Sequence, residues 1–344
     1  MKIVVDKAVP FLEGVLDPYF EVVSLPGSEI DREVVRDADA LIIRTRTHCN
    51  AALLEGSKVK IIATATIGTD HIDEEWCDAN GIMVRNAAGC NSGGVMQYVF
   101  SALYGAASRK SISLEGKTLG IIGVGNVGRR VDNTAMTLGF HVLRYDPPRE
   151  AAEGPFEFCS LERLLAESDI VTLHVPLNEQ TRHMANADFF RRMKPGAFFI
   201  NASRGEVVDE AALLSAIRRL GPVIIDTWEN EPDINLELLD KVAIATPHIA
   251  GYSYQGKQNG TAAAVRAVAH YFGIQPLFEF FPKTELPENE AVKLDLRGKT
   301  QGEIAAIFQY NYPIFTDDFL FRLDPSRFEE LRSNYNYRRE FFIA

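Results

Sequence analysis

The sequence predicts an α/β protein built on parallel sheets, and three observations predict it. Short β-branched runs alternate with helical stretches along most of the 344 residues. A glycine-rich turn, Gly123-Val-Gly-Asn-Val-Gly128, joins a strand-like run at 117–122 to a helical stretch from 126 to about 138. A second strand-like run at 141–145 is closed by an acid, Asp146, about 20 residues after the turn.

Strand, glycine turn, helix, strand and acid together form a dinucleotide-binding pattern. Gly123 is expected to make the turn, Gly125 to let a pyrophosphate approach the backbone, and Gly128 to let the helix pack on the strand. The helix N-terminus supplies free N–H groups and a positive dipole for phosphates. Asp146 suits the ribose hydroxyls and repels a 2′-phosphate, so NAD is expected over NADP. The nearby cation Arg149 is the one feature that favours NADP.

More than a hundred residues precede the turn and carry their own alternation, with apolar runs at 3–5, 21–25, 40–44, 60–64 and 82–84. They read as a first α/β domain, residues 1–92. After a turn at 90–94, a helix over 95–109 leads into the nucleotide domain, which continues through strands at 169–174, 197–201, 223–226 and 242–245 and a helix at 210–220. The alanine-rich stretch 253–272 reads as a long helix crossing back to the first domain. From 282 the character changes: a strand at 291–296 precedes helices at about 300–310 and 326–337. Some 60 residues bury little core alone, so this segment reads as an appended module used in self-association. The expected architecture is a Rossmann NAD-binding domain (93–252) inserted in a flavodoxin-like α/β substrate domain (1–92 and 253–281), plus a small C-terminal α+β dimerisation module (282–344).

Composition narrows the function classes. The chain is 46% hydrophobic and 24% charged, as globular proteins are. Its net charge of -11 argues against a nucleic-acid or anionic-membrane binder, and no apolar run reaches spanning length. Cys49, Cys77, Cys90 and Cys159 are scattered without a C-x-x-C pair, which fits reduced thiols in a cytoplasm. No histidine pair has H-x-x-x-H spacing, so no metal is expected.

Ligands of doubly wound sheets bind at the carboxyl ends of the strands, and three residues suited to oxidising an alcohol beside a carboxylate fall near those ends. Arg204 has a guanidinium fork for a carboxylate. His248 has an imidazole that can take a hydroxyl proton, and Glu231 has a carboxylate that can orient it. Each has a plainer reading as well: a surface arginine, a packed or capping histidine, a solvated acid. Arg44 and Arg46 flank Thr45 at the end of the 40–44 run, as either an anion site or a solvated basic edge.

Across about residues 1–280 the chain resembles the D-isomer-specific 2-hydroxyacid dehydrogenases. The resemblance rests on Ala63-Thr-Ala-Thr-Ile-Gly-Thr-Asp-His71, Gly89-Cys-Asn91, the glycine turn, Asp146-Pro-Pro148, Lys194-Pro-Gly196, Asn201-Ala-Ser-Arg-Gly205 and His248-Ile-Ala-Gly-Tyr-Ser253. It implies that Arg204, Glu231 and His248 are catalytic, with His248 the acid/base. It places NAD on Asn126, Val127, Asp146, Val175, Ala202, Ser203, Asp226 and Gly251, and substrate on Thr45, Thr66 and Tyr252. A small phosphorylated 2-hydroxyacid is the implied substrate and a homodimer the implied assembly; from its place at the strand end, Arg44 is the candidate phosphate ligand. Members of the 3-phosphoglycerate or glycerate type remain an alternative, and so, less favoured, does a nucleotide-sensing binding protein on the same fold. The family's C-terminal module runs further than this one, so its last strand and helix are expected to be missing.

Overall fold

The computed structural model describes residues 1–284 and 286–343. The chain divides into two compact units, Met1–Asn91 with Ser253–Glu290, and Ser92–Tyr252 with Ala291–Ala344.

In the first unit, β1 (Lys2–Asp6), β2 (Glu21–Leu25), β3 (Ala40–Ile43), β4 (Ile61–Thr64) and β5 (Met83–Asn86) form one sheet in the order β2-β1-β3-β4-β5. Every pairing is parallel. The central strands β3 and β4 are buried at every position, as a sheet covered on both faces requires. One face packs on the Tyr254–Phe272 helix through Ala264, Val265, Val268 and Ala269. Ser253 caps this helix and Gly273 ends it in a left-handed conformation.

The second unit holds β6 (Thr118–Ile122), β7 (His141–Tyr145), β8 (Ile170–Leu173), β9 (Phe198–Asn201), β10 (Val223–Ile225) and β11 (Ile244–Ala245). They pair in parallel in the order β11-β10-β9-β8-β6-β7. Parallel pairing brings all six carboxyl ends to one edge, where the candidate site residues of this unit lie. Tight packing fixes β6 against the following layer: a Cβ on Gly120 would stand 2.4 Å from Ser168 Oγ and 2.6 Å from Leu164 Cδ2.

The C-terminal segment packs on the second unit. It groups with the nucleotide-binding unit and does not stand apart. Phe308 and Phe341 stack at 5.4 Å, and Phe308 meets Tyr104 edge-on, inside the same core as the Ser92–Arg109 helix. Sixty residues that cannot build a core have joined an existing one. Two elements differ from expectation. A helix, Ile314–Leu323, lies between the two expected helices, and the expected 326–337 helix shortens to Phe328–Ser333. Near the end of the described residues, β13 (Phe341–Ile343) pairs in parallel with β12 (Val292–Leu294).

The Ile314–Leu323 helix covers the outer side of the edge strand β11. The Ala245 N–H donates to Asp318 Oδ1 at 2.8 Å, and Arg322 Nε donates to the same oxygen at 2.8 Å. Arg322 also reaches the carbonyls of Leu239 and Val242. An open edge donor is thus paired inside the protein. Replacing Asp318 with Ala leaves a buried N–H and a cation without their partner, and it should cost roughly 2–4 kcal/mol of stability by urea unfolding.

Candidate active site

The glycine turn begins where β6 ends. Gly123 has a φ of 85°, and a Cβ there would lie 2.7 Å from the His174 carbonyl oxygen at the end of β8. A Cβ on Gly128 would lie 2.1 Å from the Gly123 oxygen, so only glycine lets the helix start this close. Gly125 faces open space, and the Asn126–Thr137 helix that follows has no side-chain cap. A bare helix N-terminus beside open space fits a pyrophosphate.

Asp146 lies at the end of β7. It accepts the Val124 N–H at 2.7 Å and the Arg149 N–H at 3.1 Å, so it holds the glycine turn and caps the Pro147–Glu153 helix together. Arg149 is committed elsewhere: its guanidinium donates to the Glu153 carboxylate and, at 2.8 Å, to the Val124 carbonyl. Val175 follows β8, Ala202 and Ser203 follow β9, and Gly251 follows the His248 turn, all in this unit. Ser203 is buried, and its hydroxyl donates to Asn201 Oδ1 at 2.8 Å.

Asp226, at the end of β10, is buried and fully engaged. The Thr246 hydroxyl donates to it at 2.6 Å, and the backbone N–H groups of Ile249 and Ala250 donate at 2.8 and 2.9 Å. The His248 N–H donates to the Asp226 carbonyl at 2.8 Å. These bonds hold His248 in a left-handed conformation, φ 57°, which a side chain with a Cβ adopts only where its surroundings impose it.

From that turn, His248 Nδ1 lies 2.7 Å from Glu231 Oε2. The other Glu231 oxygen accepts the Trp228 N–H at 2.9 Å. Burial alone would push the Glu231 carboxyl up. The charge and hydrogen bond of His248, the Trp228 N–H and the Arg332 charge outweigh it and hold the carboxyl below its ordinary value. With Nδ1 committed, Nε2 is the nitrogen left for a ligand proton. Arg204 lies just past β9, where Asn201 Nδ2 donates to its carbonyl at 3.0 Å. Gly205 sets how near this loop comes to the Glu231 loop: a Cβ there would stand 1.9 Å from the Trp228 carbonyl oxygen. The loops carrying Arg204 and Glu231 therefore meet backbone to backbone. Glu231 and His248 are joined by a direct bond, and Arg204 is joined to them through this loop contact.

In the first unit Arg44 lies just past β3 and spends one N–H on the Ala8 carbonyl at 3.0 Å; Thr45 is exposed. Thr66, past β4, shares a 2.6 Å hydrogen bond with Thr64. In the second unit Tyr252 Oη accepts from Arg332 Nε at 3.1 Å. Among the described residues no cluster of metal-ligating side chains occurs, and no helix is long and apolar enough to cross a membrane.

Three residues around the pair were not among the expected site residues. Arg332 and Arg338 come from the C-terminal segment, where no spacing links them to the strand ends. Glu210 is buried at the start of the Glu210–Ala216 helix and accepts the Glu229 N–H at 2.9 Å. Glu229 in turn pairs with His183 Nε2 at 2.7 Å.

Residues 97–250 match the family model described as D-isomer specific 2-hydroxyacid dehydrogenase, NAD binding domain. The chain is 46% identical over 347 residues to an erythronate-4-phosphate dehydrogenase of Bacteroides thetaiotaomicron, covering 99% of this chain and 97% of that one. Among solved structures it is similar to an NAD+-bound 3-phosphoglycerate dehydrogenase of Entamoeba histolytica, with a TM-score of 0.68, 28% identity, and 83% of this chain and 99% of that one covered. It is equally similar to a D-lactate dehydrogenase of Aquifex aeolicus complexed with NAD and lactic acid, with a TM-score of 0.68, 27% identity, and 81% and 98% covered.

Burial, with Glu229 and Glu231 adding to it, pushes the Glu210 carboxyl up from 4.5 to about 7. The folded state therefore holds this proton more tightly than the unfolded state. The resulting stability is present below pH 4.5 and is lost as pH rises to about 7. Glu210→Gln keeps an acceptor for the Glu229 N–H and removes the titration. Its melting temperature relative to the wild type should rise between pH 5 and pH 8; a parallel pair of curves would refute the assignment.

Proposed function

Because the chain belongs to the D-isomer specific 2-hydroxyacid dehydrogenases, we propose that it oxidises 4-phospho-D-erythronate to 2-oxo-3-hydroxy-4-phosphobutanoate with NAD, a step in pyridoxal 5′-phosphate biosynthesis. The observation that carries the reading is the 2.7 Å Glu231–His248 pair on the sheet edge that also carries the glycine turn. The name of the Bacteroides relative supports the choice of substrate.

NAD, when bound, supplies the acceptor for the hydride that leaves C2. The residues of this chain do the rest. Arg204 holds the substrate carboxylate and the reacting oxygen with its guanidinium. Nε2 of His248 takes the hydroxyl proton, and the Glu231 carboxylate stabilises the imidazolium that results. Gly123, Gly125, Asn126, Val127 and Gly128 cradle the pyrophosphate, and Asp146 receives the ribose hydroxyls. Val175, Ala202, Ser203, Asp226 and Gly251 complete the NAD set. Thr45, Thr66 and Tyr252 bind substrate, and Arg44, with most of its guanidinium uncommitted beyond Ala8, takes the phosphate.

We also propose a homodimer in the cytoplasm. Phe319, Leu320 and Leu323 are exposed on the Ile314–Leu323 helix, with Tyr310 exposed on the helix before it, and such apolar surface suits an interface. The scattered cysteines, without a C-x-x-C pair, suit a reducing compartment.

NADH formation with a panel of 2-hydroxyacids tests the activity. The kcat/KM for phosphoerythronate should exceed those for 3-phosphoglycerate and glycerate, and the reverse order would favour the alternative family members. A protein that binds NADH and turns over none of them would be a sensor. His248→Ala should lower kcat by about 10²–10⁴-fold and leave NADH binding intact; near-full turnover would refute the acid/base role. Arg44→Gln should raise KM for phosphoerythronate about tenfold, the loss of one charge-assisted contact, with NAD affinity unchanged. An unchanged KM would remove Arg44 from the phosphate site.

A further inference from the structure

The turn that carries His248 has two sides. Its N–H groups point to Asp226, as described above. Its carbonyls point to a side chain some 90 residues later in the chain. Arg338, at 9% exposure, lies under the turn. Its Nη1 donates to the Ile249 and Tyr252 carbonyls at 3.1 and 2.9 Å, and its Nη2 donates to the Ala250 carbonyl. Nη2 also donates to the Gly94 carbonyl at 3.0 Å, in the first turn of the Ser92–Arg109 helix. The guanidinium carbon lies 3.9 Å from the centroid of the Tyr312 ring, and Nη1 reaches Tyr335 Oη at 3.3 Å.

We propose that Arg338 is a positioning residue for catalysis: its guanidinium locks the carbonyl side of the His248 turn and so fixes the imidazole at Glu231 and at the substrate. The inference rests on the hydroxyacid oxidation proposed above. The chemistry of the side chain suits the task. A planar fork of donors serves several carbonyls at once, and an ammonium in the same place does not. The charge remains on the guanidinium when it is buried, and each bond it makes to a carbonyl is charge-assisted. The left-handed backbone of His248 gives the lock something to oppose, because a loosened turn relaxes away from that conformation.

An open pocket of about 400 Å³ lies beside the turn, lined by Pro247, Ile249, Tyr312, Asp317, Tyr335 and Arg338. Methionine at 338 keeps much of the side-chain length and loses every hydrogen bond to the turn, so it separates bonding from bulk. The bonds tie the C-terminal segment to the turn that carries His248.

The test uses the full-length enzyme with R338M and R338K, and turnover is expressed per NADH-binding site found by fluorescence titration. Both variants should bind NADH with a Kd within about twofold of the wild type. KM for the hydroxyacid should change little. Per-site kcat should fall about 10- to 100-fold in R338M, the size expected for a misplacement near 1 Å, and by a smaller factor in R338K. The isotope effect on kcat with the C2-deuterated hydroxyacid should be at least as large as the wild type's, because the chemical step is the one slowed. An unchanged per-site kcat overturns the proposal. So does a fall in kcat that matches a fall in the number of NADH sites, or failure of both variants to fold, since Arg338 would then hold the fold and not the histidine. Wild-type turnover separates the two readings: without it the proposed oxidation fails, and with it an unaffected R338M fails the inference alone.

Discussion

A buried carboxylate with every oxygen spoken for organises the candidate site. Asp226 collects the Thr246 hydroxyl and the amides of Ile249 and Ala250, and in doing so it bends the chain after β11 back over the end of β10. Burial and these bonds act in opposite directions on its proton, and burial wins, so the carboxyl is raised above its ordinary value. The group is kept in place because releasing it would strand several buried donors together. His248 extends from the middle of this bend. The backbone N–H groups of His248, Ile249 and Ala250 are bonded to Asp226, so the backbone directs the imidazole to Glu231, where its Nδ1 completes the pair at 2.7 Å.

The parallel sheet, the glycine turn and the acid after β7 were legible in the sequence because each has a local signature: period, glycine spacing and a fixed offset. The strand ends followed, since parallel pairing sends every one of them to the same edge. The residues Arg204, Glu231 and His248 could be singled out there as chemical types, but the sequence held no sign that Gly205 brings two loops into backbone contact. That contact depends on two segments more than 20 positions apart, and a glycine in a loop has many plainer explanations.

The C-terminal segment was less legible for a reason that can be named. The Ile314–Leu323 helix turns Asp318 inward and Phe319, Leu320 and Leu323 outward. Ile314 and Phe321 are buried beside Asp318, so apolar residues fall on both sides of the helix and helical period marks no single face. An acid faces inward because the edge strand β11 has an N–H to satisfy, a tertiary demand that no local window records. The same logic hides Arg338, a buried cation whose partners are carbonyls from two distant segments.

Asp146 draws two roles into one side chain, and this bears on how cofactor preference could be redesigned. Its carboxylate is the group proposed to receive the ribose hydroxyls and repel a 2′-phosphate, yet it also receives the Val124 amide of the glycine turn and caps the next helix. A neutral or basic replacement would relieve the repulsion and slacken the turn in the same stroke, and Arg149 is already bound to Glu153. Selectivity for the unphosphorylated ribose is thus built into the scaffold of the phosphate loop. Exchanging it calls for a new anchor for Val124 before any new charge is introduced.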